Sequence, residues 1–138
     1  MNKYVDECIE EFEIACDSRM SPVRLLSGGN IQKVIVAREF TSGANLIIAN
    51  QPTRGIDVGT AELIHKLLRR YTREKNYAAL LISSDLNEVL NYSDRLLVMH
   101  KGKFNAQFGD TSNVTDEMLG EYMLGVKHMT DEEKGDLF

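Results

Sequence analysis

Apolar residues recur every three or four positions at Val5, Cys8, Ile9, Phe12 and Cys16, with Asp6, Glu7, Glu10, Glu11 and Glu13 between them. That spacing predicts an amphipathic helix over 4–16. A polar break at 17–22 ends in Pro22, which limits helix continuation. Ile31, Val34, Ile35 and Ala37 restore the helical period over 31–40, and Ser42-Gly43-Ala44 closes it. The run Leu46-Ile47-Ile48-Ala49 is short, continuous and bounded by Gly43 and Pro52, and so predicts a fully buried strand. A turn with Pro and Gly over 52–57 leads to a long helix over 58–75, striped by Ala61, Ile64, Leu67, Leu68 and Tyr71.

The pattern then repeats in shorter form. A second buried strand is expected over 78–83, and Ser84 or Asp85 caps a helix over 86–91. A third strand over 95–100 turns at Lys101-Gly102 into an edge strand over 104–108, with Phe104, Ala106 and Phe108 alternating. Thr115 caps a last helix over 116–124, and the acidic segment 129–138 has little periodicity. Strands alternating with helices imply right-handed crossovers and a largely parallel α/β sheet covered on both faces. The last pair is expected to be antiparallel.

Composition trims the alternatives. The 138 residues suit one domain, and 43% apolar with 27% charged side chains is ordinary for a globular chain. A formal charge of −5 argues against a nucleic-acid partner, which rewards basic surface. The longest apolar runs fall far short of the roughly 20 residues of a membrane helix. The acidic N-terminus does not resemble a secretory signal. Cys8 and Cys16 read as reduced thiols filling apolar space, and His65, His100 and His128 lack metal-ligand spacing.

The most informative chemistry is Ser27-Gly28-Gly29-Asn30 at the opening of a helix. A helix N-terminus carries unpaired N–H groups and a partial positive charge. Glycines admit close backbone approach, and a serine hydroxyl can bond a phosphate oxygen, so the segment can cradle an anion. Equally, it is an ordinary loop with an N-cap. Two predicted strands also end in polar residues, at Asn50-Gln51 and at Ser83-Ser84-Asp85, where parallel α/β sheets place their ligands.

Together these segments resemble the ATP-binding cassette ATPases. Leu26-Ser27-Gly28-Gly29-Asn30, followed by Gln32-Lys33 and Ala37-Arg38, is similar to the family signature, whose last position is usually glutamine. Residues 46–51 fall where the Walker B strand does, Gly55-Ile56-Asp57 resembles the D-loop, and Ser84 falls at the switch-histidine position. Residues 51–59 and Ser93-Asp94-Arg95 are most similar to the second cassette of tandem importers for simple sugars and nucleosides. The Asn50-Gln51 pair leans towards the nucleoside branch.

The resemblance implies a partial P-loop NTPase (RecA-like) fold. Residues 1–42 would belong to the helical signature subdomain, 43–128 to the C-terminal part of the α/β core, and 129–138 to a flexible tail. No G-x-x-x-x-G-K-[ST] run occurs in the 138 residues. The chain thus reads as the C-terminal half of a nucleotide-binding domain, with Met1 an artificial start. Asn50 stands where the family has an aspartate supporting magnesium, and an amide serves a hard cation poorly. Gln51 stands at the catalytic-glutamate position, and glutamine cannot accept a proton from water. Ser84 replaces a histidine that contacts the terminal phosphate.

The expectation is a degenerate nucleotide site whose intact signature, Ser27, Gly28, Gly29 and Asn30, completes the ATP site of a partner cassette. Asp57 would sit at that interface, with Gln32 and Lys33 on the helix surface. ATP and Mg2+ would act in the full assembly, with neither bound tightly by this chain alone. Its other partners would be transmembrane permease subunits, at the cytoplasmic face of a bacterial membrane, and missing strands would favour self-association. The competing readings are an inert docking cassette with a relic signature and, more remotely, a DNA-repair or chromosome-organising ATPase.

Overall fold

A computed structural model of the chain describes residues 2–135; Met1 and residues 136–138 of the expected tail lie outside the described residues. The chain forms two compact units, Met1–Ile82 and Ser83–Phe138.

In the first unit, helix α1 (Asn2–Glu11) is followed by a short 3-10 turn (Val23–Leu25), helix α2 (Gly28–Phe40), strand β1 (Leu46–Asn50), helix α3 (Val58–Glu74) and strand β2 (Ala78–Ile82). Helix α1 is shorter than its periodicity predicts. Glu13 takes a left-handed backbone (φ 51°), and the turn drops Phe12 and Ile14 into the core. Cys16 therefore lies beyond the helix; both thiols are free and pack against the core. Helix α2 starts three residues earlier than the apolar period, because Ser27 caps it by accepting from Asn30 N.

The core joins Phe12 of the α1 end, Val36, Ala37 and Phe40 of α2, Ile47 of β1, and Leu63, Ile64, Leu67, Leu68 and Tyr71 of α3. Three aromatic rings stand edge-on within it: Phe12 and Phe40 have centroids 6.2 Å apart, and Phe40 and Tyr71 4.7 Å apart. Arg70, near the end of α3, is half-buried, pairs with Glu11 and lies over the Tyr71 ring. Helix α3 ends where Asn76 turns left-handed (φ 56°).

Strands β1 and β2 pair in parallel, Leu46 opposite Ala78 through Asn50 opposite Ile82. This corrects the expectation of buried strands. Ile47 points into the core, but Leu46, Ile48, Leu80 and Ile82 share the opposite face and are 45–63% exposed. The sheet is two-stranded, and among the described residues nothing covers that face. Continuous apolar runs mark strands with two apolar faces; they do not say that both are covered.

In the second unit, helix α4 (Leu86–Tyr92) follows an Asp85 N-cap, and strands β3 (Leu96–His100) and β4 (Lys103–Phe108) form a separate antiparallel pair. Lys101 (φ 47°) and Gly102 (φ 76°) make the two-residue turn between them, both left-handed as a hairpin of this length requires. Helix α5 (Asp116–Met123) is capped by Thr115, and helix α6 (Asp131–Lys134) by a Thr130–Glu133 capping box. One turn of helix thus stands where sequence periodicity offered none.

The expected Phe104/Ala106/Phe108 alternation is interrupted by a bulge: Val98 pairs with Ala106 but Met99 pairs with Phe104. The extra residue, Asn105, is buried, while Phe104 is 40% exposed. Asn105 Nδ2 donates to the carbonyls of Tyr122 (2.5 Å) and Lys127 (2.8 Å), and its own carbonyl accepts from Met129 N (3.0 Å). The side-chain oxygen bonds His128 Nδ1. Since Asn105 Oδ1 can only accept, that imidazole nitrogen carries hydrogen.

Candidate functional site

The first unit brings two helix N-termini against one another. At the start of α2, Ser27 Oγ accepts from Asn30 N (3.4 Å) and from Asn30 Nδ2 (3.0 Å), while Asn30 Oδ1 accepts from Ala15 N (2.8 Å). Ser27 and Gly28 are exposed. The N–H groups of Gly28 and Gly29 lie in the first helical turn, where no preceding carbonyl of the helix can reach them. Neither bond to Ser27 uses its hydroxyl hydrogen. An incoming oxyanion would therefore meet two backbone donors, one hydroxyl donor and the positive end of a 13-residue helix.

At the start of α3, the exposed Asp57 caps the helix through both carboxylate oxygens. Oδ1 accepts from Thr60 N (3.0 Å), and Oδ2 accepts from Thr60 Oγ1 (2.8 Å). The Thr60 N–H, then its hydroxyl, hold the Asp57 carboxyl below its ordinary range. Gly29 fits tightly against this cap: a Cβ placed on it would lie 3.0 Å from Thr60 Oγ1 and 3.1 Å from Asp57 Oδ2. A Cβ placed on Gly28 would meet nothing within 4 Å beyond its chain neighbours and its own helix backbone.

Further along α2, Gln32 Nε2 donates to Pro52 O (3.1 Å) and Lys33 Nζ donates to Glu13 O (2.9 Å). Both residues bind other segments of this chain, where the sequence had placed them on an open helix surface. Asn50 is exposed at the end of β1. Gln51 is half-buried and left-handed (φ 49°), and its N–H donates to Ile82 O (2.8 Å), which fixes the exit from the sheet. In the second unit Ser84 is exposed, next to Ser83, whose Oγ accepts from Asp85 N (3.0 Å).

The structure therefore brings Ser27 to Asn30, and Gly29 to Asp57. Thr60, which the sequence reading missed, is the residue that joins the two ends. Its signal was readable: a Thr three positions after an N-cap Asp is placed to bond back to it. For a divalent cation, Asn50 offers only a neutral amide oxygen, and both Asp57 oxygens already accept from Thr60. Among the described residues no group of three or more His, Cys, Asp or Glu side chains could hold a metal, and no helix is long and apolar enough to cross a membrane.

No family model matches the chain. Individual relatives do. It is 41% identical over 125 residues to the nucleoside import ATP-binding protein NupA of Lactococcus lactis, a match covering 91% of this chain and 24% of that protein. It is 37% identical over 131 residues to the xylose import ATP-binding protein XylG of Escherichia coli K12, covering 95% and 25%. The fold agrees. The ATP-binding cassette MJ0796, in a dimeric post-hydrolysis state bound to ADP and Pi, superposes with a TM-score of 0.70 at 25% identity, over 81% of this chain and 47% of that one.

The chain belongs to the ATP-binding cassette family. A further neighbour, an inward-facing metal-chelate type transporter, supports the fold alone, at a TM-score of 0.74 and 20% identity. This cassette chain spans about a quarter of the length of the curated relatives it matches and about half of the solved structures. The partial P-loop NTPase fold expected from the sequence is thus the one observed.

Proposed function

We propose that this cassette chain is part of the ATP-binding subunit of an importer for a simple sugar or nucleoside, and that it acts through its signature loop. Ser27, Gly28, Gly29 and Asn30 would contact ATP held by a partner cassette, with Asp57 near that interface. The chain's own site is degenerate in this reading: Asn50, Gln51 and Ser84 replace the residues that hold magnesium, activate water and touch the terminal phosphate. ATP and Mg2+ belong to the full assembly, together with permease subunits, at the cytoplasmic face of the membrane. The division into a helical part (1–42), an α/β part (43–128) and a tail belongs to the same proposal.

The observation that carries it is the exposed N-terminus of α2, where Gly28 has open space and its backbone N–H has no helical acceptor. The names of the relatives supply the class of cargo, since they import nucleosides, ribose and xylose. The test is to join this chain to the remainder of its subunit and the partner cassette, and to change Ser27 to Phe. ATP turnover should fall at least tenfold; unchanged turnover would remove the signature role and leave an inert docking cassette.

A further inference from the structure

Resting on that reading, we infer that Gly29, Gln32, Asp57 and Thr60 form an internal clasp that makes the signature helix and the 51–57 loop move as one piece. Gln32 and Thr60 are then positioning residues for Ser27 and Gly28. The two glycines of the pair have different tasks.

Gly28 stands in open space, so a side chain there would meet only what comes from outside the chain. Gly29 is kept bare by the chain itself. The nearest atom to a Cβ on it would be Thr60 Oγ1 at 3.0 Å, tighter than most real contacts of that kind, with Asp57 Oδ2 at 3.1 Å, so the neighbours would have to give by a few tenths of an ångström. Neither atom is free to yield. Thr60 is buried at 6% exposure, and its hydroxyl and N–H both hold the Asp57 carboxylate. Moving them away would uncap α3.

Gln32 lies three residues after Gly29, on the same face of α2. Its amide reaches Pro52 O at 3.1 Å in a partly buried contact, and Pro52 itself is buried. So α2 holds the loop at both ends, at residue 52 and at residues 57–60. Between them the loop has little slack: Gln51 (φ 49°) and Gly55 (φ 76°) are left-handed, and Arg54 N donates back to Gln51 O (3.2 Å). A displacement of this loop reaches the first turn of α2 directly, and with it the donors of Ser27 and Gly28.

Two measurements test the clasp. In this chain, urea unfolding of Gly29→Ala, Thr60→Ala and the double variant should be non-additive. Removing the Thr60 hydroxyl relieves the clash, and the coupling should exceed fivefold in the unfolding constant. The matching cycle with Gly28→Ala should be additive. Should Gly29→Ala fail to fold, its rescue by Thr60→Ala reads the same coupling, and additive behaviour at Gly29 overturns the clasp. In the full assembly, Gln32→Leu should lower kcat for ATP about tenfold with KM for ATP moved less than threefold. An unchanged kcat, in an assembly that Ser27→Phe does inactivate, removes the positioning role and leaves the proposed function standing. Turnover insensitive to Ser27→Phe removes that function, while the unfolding cycle still reports on the clasp.

Discussion

The two units of the chain solve the same packing problem by opposite means. The first builds a core from helix faces and aromatic rings, with Phe12, Phe40 and Tyr71 edge-on and α3 contributing five buried apolar residues. The second has, among the described residues, a core of four buried apolar residues, Leu96, Val98, Ala106 and Leu119, and adds a buried amide at Asn105. Asn105 ties β4 to the 122–129 segment: its side-chain amide donates to the carbonyls of Tyr122 and Lys127, and its own carbonyl accepts from Met129 N. Apolar contacts tolerate small shifts, whereas a buried amide accepts one arrangement only. The unit that carries the signature rests on the first kind of support, and within it the polar clasp at Gly29 and Thr60 supplies the precision.

The comparison breaks most readily at Phe12. Phe12→Ala empties a site with no solvent exposure and should cost about 3–5 kcal/mol, read as lost hydrogen-exchange protection in α2, α3 and β1. Asn105→Ala should cost less, about 1–3 kcal/mol, by removing the buried amide that donates to Tyr122 O and Lys127 O. Exchange of amides in α5 and 126–129 should report it. An Asn105→Ala loss matching that of Phe12→Ala would erase the contrast between the two cores.

The smallest effect concerns alkali. Burial, and then the hydrogen bond to Glu11, push the Tyr71 phenol above its ordinary value. A group raised in the folded state contributes stability that is complete below its unfolded pKa, about 10, and is lost as pH rises through the folded value. The urea midpoint of the wild-type chain should therefore fall more steeply above about pH 10 than that of Tyr71→Phe. Parallel curves would show that the ring is held as loosely as an exposed one.

Much of the fold was legible because its periodicities are long or well bounded. The stripe of α3, the runs of β1 and β2, and the caps at Asp85 and Thr115 all depend on neighbours in sequence. What escaped depends on neighbours in space. The early end of α1 reflects where Phe12 and Ile14 find cover. The exposure of Leu46 and Ile48 reflects that, among the described residues, no layer covers their face, which no run of aliphatic residues reveals. The bulge at Asn105 swaps the facing of one residue in a pattern that otherwise alternates.

The candidate site divides along the same line. Ser27, Gly28, Gly29 and Asn30 stand out in the sequence as the opening of a helix, and Asp57 enters through the resemblance of 55–57 to the D-loop. That Gly29 serves α3 depends on a contact with Thr60, 31 residues away in sequence.

The open side of the small parallel sheet gives the molecule a thermal character. Leu46, Ile48, Leu80 and Ile82 present hydrocarbon to water, and the drive to withdraw such surface is entropic near room temperature and weakens on cooling. Chilling therefore calms this surface and gentle warming arouses it, the reverse of what polar attraction alone would produce.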